Sequence, residues 1–174
     1  TNLTTPAPTV NVTGFAPEVT AVVTQDVGNN NMVILSITVP GYAGWIPQYG
    51  LSGPEAEWDA DYEPDGENNF YEYVMGGDPT NAAVKGYVPT STLVEDGGTE
   101  YMEYVYPRRI GSGAELDYIP EFATDLSLGD WSNIGVVEID TETIPPEGVY
   151  EFVTNRVDMT GIPEGFMKLT VDQL

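Results

Sequence analysis

Seven carboxylates stand at strictly alternate positions in this chain: Glu55, Glu57, Asp59, Asp61, Glu63, Asp65 and Glu67. Like charges so close repel one another, and the repulsion grows as water is removed. Any fold that contains this segment must keep it solvated or neutralise it with a cation. The rest of the chain offers little help, because 28 Asp and Glu stand against 5 Lys and Arg, a net charge of −23. That imbalance excludes nucleic acid as a partner, since polyanion binding needs basic side chains that release counterions from phosphates. An anionic membrane surface repels the chain for the same reason. No run approaches the roughly 20 apolar residues that cross a bilayer, so no membrane insertion is expected.

Calcium is the cation that suits such a row. It takes six to eight oxygens from carboxylates and carbonyls, and a loop of the form D-x-D-x-D-G-x5-E supplies them. Asp61, Glu63, Asp65 and Gly66, followed by Glu72, meet that spacing, with Glu63 at the third position where Asp or Asn is usual. The pattern assigns Glu67 a backbone carbonyl, Asn69 a side chain or bridged water, and Glu72 a bidentate carboxylate. The competing reading is a solvated acidic loop on a very acidic protein.

Histidine and cysteine are both absent. Without them no serine or cysteine triad, zinc site, haem or iron–sulfur ligation can be built. Paired carboxylates could still hydrolyse a glycoside, but the bulk acidity singles out no pair, and the chain reads as a non-enzyme. It opens at Thr1 without Met, as a mature exported protein does after its leader is cleaved. The expected location is extracellular or at the cell surface.

The expected fold is mainly β: an immunoglobulin-like antiparallel β-sandwich of about seven strands with a calcium-loop and short-helix insertion. Residues 1–14 carry five Thr, two Pro and no charge, which predicts an extended N-terminal arm; residues 15–174 form the sandwich domain, with an acidic, aromatic insertion at 41–80. Two β-branched runs, 18–24 and 31–39, flank a turn-rich stretch and predict a hairpin. The second has apolar residues at both parities, as a central strand does. Short strand-like segments recur at 101–106, 115–122, 134–139, 149–153 and 166–171, punctuated by Gly, Pro and Asp. One short helix is predicted over 69–75, stopped by Gly76 and Gly77.

The insertion crowds Tyr42, Trp45, Tyr49 and Trp58 with further aromatics. Sugar rings stack on exposed aromatic faces, so these four residues, with Arg108 and Arg109 clamping a sulfate or carboxylate, make a candidate carbohydrate face. The favoured alternative is structural: the aromatics, spaced three and four apart, seal an end of the core, and the arginines pair with the protein's own acid.

The run from Tyr42 to Ala82, with Trp45, Tyr49-Gly50-Leu51 and the loop at 61–72, resembles a recurring segment of secreted proteins of verrucomicrobial and related bacteria. In that family a Trp-x-x-x-Tyr-Gly-Leu piece leads into an EF-hand or thrombospondin-3-like Asp loop and then a β-rich module. Residues 104–109, 116–131, 150–158 and 166–171 are similar to that module, and the likeness covers about residues 42–172. It implies a non-catalytic C-terminal module of polysaccharide-degrading enzymes and surface proteins. Glu67-Asn68 stands where the family loop has a second Asp-Gly, and residues 1–40 are additional.

Two functional expectations follow. In the first, the chain is a subunit of an extracellular filament or surface layer, stabilised by calcium. Its partners are copies of itself, joined when Val10, Val12 and Phe15 of the arm add a strand to a neighbour. In the second, it is a carbohydrate-binding accessory module with extracellular polysaccharide as partner.

Overall fold

The structure, a computed structural model, describes residues 20–26, 32–38, 41–110, 116–144 and 149–173. The hairpin forms as expected: β1 (Thr20–Asp26) pairs antiparallel with β2 (Met32–Thr38), Thr20 opposite Thr38. Among the described residues β2 pairs with β1 alone. The arm at 1–14, with Val10, Val12 and Phe15, lies outside the described residues.

Six further strands form two antiparallel sheets. These are β3 (Thr90–Asp96), β4 (Thr99–Arg109), β5 (Leu116–Ala123), β6 (Val137–Ile144), β7 (Tyr150–Asp158) and β8 (Phe166–Gln173). Four lie in the order β3-β4-β7-β6, and the other two form the pair β5-β8. The protein is mainly β and antiparallel, as expected; the two sheets hold six strands where about seven were predicted.

Strand β3 escaped the sequence reading because it is an edge strand with six of its seven residues exposed, so no alternation marks it. Its signal was the turn. Gly97 and Gly98, both at positive φ (61° and 87°), close a two-residue hairpin between Asp96 and Thr99, the primed geometry that glycine supplies. Pro107 sits in an inner strand that tolerates no missing N–H. It escapes that rule because β3 ends opposite Val105, leaving Pro107 paired only with Phe152 of β7.

The two sheets meet through Tyr104 and Tyr106 of β4 and Val153 of β7, against which Tyr118 of β5 and Met167 and Leu169 of β8 pack. A second apolar cluster caps this sandwich. Helix α1 (Tyr42–Trp45), two 3₁₀ turns (Ile46–Tyr49 and Gly53–Ala56) and helix α2 (Asn69–Met75) gather Tyr42, Trp45, Ile46, Leu51, Tyr73, Val74 and Met75 around Leu116, with Tyr118, Leu169 and Val171 against them. Both clusters rest on Tyr118 and Leu169. The predicted helix limits hold, with α2 ending on Gly76 at φ 81°.

Trp45, 2% exposed, packs at the centre of the cap. Trp45→Ala is expected to cost about 3–5 kcal/mol, whereas Leu128→Ala, at a side chain 70% exposed, should stay within about 0.5 kcal/mol. Urea denaturation of the two variants checks the contrast.

Candidate metal centre

The acidic row folds back on itself immediately before α2. Asp61 accepts from the backbone N–H of Asp65 (3.2 Å) and of Gly66 (3.0 Å), which closes the loop, and Asp65 accepts from the Glu67 N–H (2.8 Å). Asn68 caps α2 by accepting from the Tyr71 N–H at 2.8 Å, the standard role of Asn at a helix start. Carboxylate oxygens of Asp61, Glu63 and Asp65 then lie within 4.8 Å of one another, a group that could hold a metal ion.

Glu72, on the helix, adds a carboxylate beside Glu63 and Asp65, outside that group of three. It is fully buried, at 0% exposure, and neither its carboxylate oxygens nor those of Glu63 meet a hydrogen-bond donor. The two carboxyl groups face each other, so only a shared proton or a cation can join them. Burial pushes Glu72 up to about 8, and the adjacent Glu63, then Asp65 and Asp78, push in the same direction. Room for this carboxylate depends on Gly77: a Cβ there would lie 2.8 Å from Glu72 Cγ and 2.9 Å from its Oε1.

One cation attends the site. Lys85 Nζ lies 3.4 Å from Asp65 Oδ2 and donates to the Asp65 backbone carbonyl. The Asp65 side chain is 2% exposed and that of Lys85 45%, so the ammonium approaches from the solvent side. It reaches Asp65 and leaves the Glu63–Glu72 pair unneutralised. Sequence spacing gave no sign of Lys85, twenty residues beyond its partner; the link is made where the chain returns past α2, with the Tyr87 N–H donating to the Met75 carbonyl at 2.8 Å.

The remaining candidate residues are placed as follows. Asn69 is buried and its amide nitrogen donates to the carbonyls of Glu55 (2.9 Å) and Glu57 (2.8 Å). It staples the start of the acidic row to the helix. Tyr42 and Trp45 are buried, and Tyr42 stacks on Trp58 at 3.8 Å between ring centroids. Trp45 meets the Tyr49 ring edge-on at 4.9 Å. These faces are occupied by one another, and Tyr42 and Trp45 present no open platform. Trp58 keeps an accessible edge, lining with Phe70, Asp59 and Asn68 a shallow groove of about 330 Å³ beside Val171 of β8.

Arg108 bonds Glu138 (2.8 Å) and Glu151 (2.6 Å). Arg109 is buried, with its guanidinium 4.3 Å from the Tyr73 ring centre and 2.6 Å from the Tyr150 hydroxyl. Both arginines therefore serve the protein itself. Comparison with known proteins returns no match: no family model, no characterised sequence and no solved structure resembles this chain closely enough to count.

A carboxyl that holds its proton to about 8 when folded, against 4.5 ordinarily, binds more protons folded than unfolded across that window. The stability it contributes is present below 4.5 and is lost as pH rises towards about 8. In chelator, the melting temperature is expected to fall over that interval, the reverse of a paired carboxylate, and Glu72→Gln should flatten the fall. Thermal melts by circular dichroism across the pH series provide the check.

Proposed function

We propose that this chain is a non-catalytic structural subunit of an extracellular filament or surface layer, its cap locked by calcium. One observation carries the metal: Glu72 is fully buried with no donor on its carboxylate, against Glu63 and Asp65. Burying a charge without a partner costs several kcal/mol, and a divalent ion on this all-oxygen donor set removes that cost. Asp61, Glu63, Asp65 and Glu72 are the residues that would hold it, with the carbonyl of Glu67 as the loop spacing assigns. Oxygen ligands without any His or Cys favour calcium over zinc.

The burial of Glu72 supports the non-catalytic reading. Glu72 has a raised pKa, which elsewhere marks a functional acid, but at 0% exposure it meets no substrate. Strand order supports an immunoglobulin-like relationship. Named in sequence as A to F, β3–β8 give A-B-E-D on one sheet and C-F on the other, the order of a constant-type domain without its last strand. That agrees with the resemblance to the secreted β-rich modules.

A second reading, carbohydrate binding, is favoured by one feature, the groove edged by Trp58 and Phe70. Retention on a neutral polysaccharide in affinity electrophoresis, lost in Trp58→Ala, would support it over the first.

Calcium at a hundredfold excess over its dissociation constant is expected to stabilise the fold by about 2.7 kcal/mol, with no response in Asp65→Ala. An unchanged melting temperature removes the metal. Negative-stain electron microscopy should reveal fibres or sheets in calcium, and monodisperse monomer would count against assembly.

A further inference from the structure

Asp65 has one oxygen left to offer a cation. Its Oδ1 accepts from the Glu67 N–H at 2.8 Å, while its Oδ2 is buried and accepts no hydrogen bond among the described residues. Lys85 Nζ stands 3.4 Å from that same Oδ2 and also donates to the Asp65 backbone carbonyl. The ammonium thus approaches the atom through which Asp65 would ligate a metal together with Asp61 and Glu63.

The backbone that carries Lys85 is pinned. Gly86 is at φ 86°, and a Cβ there would lie 2.6 Å from the Met75 carbonyl oxygen and 2.9 Å from the Gly77 nitrogen, so the chain is wedged against the end of α2. To either side, the Tyr87 N–H donates to the Met75 carbonyl at 2.8 Å and the Asp78 N–H to that of Val84 at 2.9 Å. The Lys85 side chain is different: it is 45% exposed and has a flexible four-carbon stem. It can swing into solvent while its backbone stays in place.

We infer that Lys85 is a tethered competitor for the metal centre, holding Asp65 in the metal-free protein and displaced into solvent when a divalent cation binds. This deepens the calcium reading above and rests on it. Two cations on one carboxylate oxygen repel each other. The carboxylates of Asp61, Glu63, Asp65 and Glu72 attract a double charge more strongly than a single one that reaches Asp65 alone. The ammonium loses little on leaving, because ion pairs so open to water contribute little. Lys85 therefore raises the calcium concentration at which the site fills, and calcium in turn weakens the lysine's hold by the same factor. The other basic residues serve elsewhere: Arg108, Arg156 and Lys168 bridge strands, and Arg109 is buried against Tyr73.

Calorimetric calcium titration of the whole chain tests the competition. Lys85→Met, which keeps an unbranched stem without the charge, should bind calcium about fivefold tighter than the unaltered chain, the low end of such couplings; Lys85→Arg should stay near the unaltered value. Displacement has its own readout, because Lys85 and Lys168 are the chain's two lysines. Calcium should speed acetylation of Lys85 by an N-hydroxysuccinimide ester, followed by peptide mass spectrometry, and leave Lys168, paired with Glu121, unchanged. Equal or weaker calcium binding in Lys85→Met would overturn the inference and leave the metal standing, as would Lys85 labelling that bound calcium does not alter. Absence of calcium binding in both chains would overturn both readings, whereas binding by Lys85→Met alone would support the competition.

Discussion

Docking helix α2 onto the sandwich buries a carboxylate, and the rest of the cap follows from that coupling. Seven residues are too few for a helix to persist alone in water, so α2 exists because Tyr73, Val74 and Met75 are buried against the sheets. Its carbonyls are tied down as well: the Tyr118 hydroxyl meets that of Val74, and the Tyr150 hydroxyl donates to that of Tyr73 at 2.6 Å. The residue before this buried run is Glu72, and the same docking removes it from water. The apolar gain and the electrostatic cost thus belong to a single event. A proton satisfies Glu72 below about 8, and above that range a cation must, or the helix is held against its own charge.

The local parts of this arrangement were legible in the sequence. Gly76 as a left-handed stop fixes the end of α2, because it acts through neighbouring backbone groups; the Asn68 cap at its start went unread. The alternate spacing of Asp61, Glu63 and Asp65 likewise sets a loop that closes on its own N–H groups. What could not be read depends on where distant chain returns. Asn69 satisfies carbonyls fourteen and twelve residues earlier, Lys85 arrives from beyond the helix, and β3 is defined only by its pairing with β4. The aromatic cluster was ambiguous for a related reason: the three- and four-residue spacing of Tyr42, Trp45 and Tyr49 describes a stripe without saying what lies against it.

Charge is distributed to match. All five basic residues are engaged within the molecule. Arg156 joins β7 to Glu103 of β4 and Asp96 of β3, Lys168 joins β8 to Glu121 of β5, and Arg108 joins β4 to β6 and β7. Surface pairs of this kind contribute little stability, about 0–1 kcal/mol each. They set opposite charges directly across the ladders, Arg156 opposite Glu103, Arg108 opposite Glu151 and Lys168 opposite Glu121, where like charges would destabilise. No cation is left over to attract an anionic polymer, and the outer surface is negative on balance.

A surface of that kind resists contact between copies except where charge is lacking. On the proposed reading the accumulated carboxylate is used inside the cap, where an ion converts mutual repulsion into a rigid loop. Strand β8 bears on that cap, because its inner face supports it through Leu169 and Val171. Whatever orders the cap therefore also holds in place the C-terminal half of that strand.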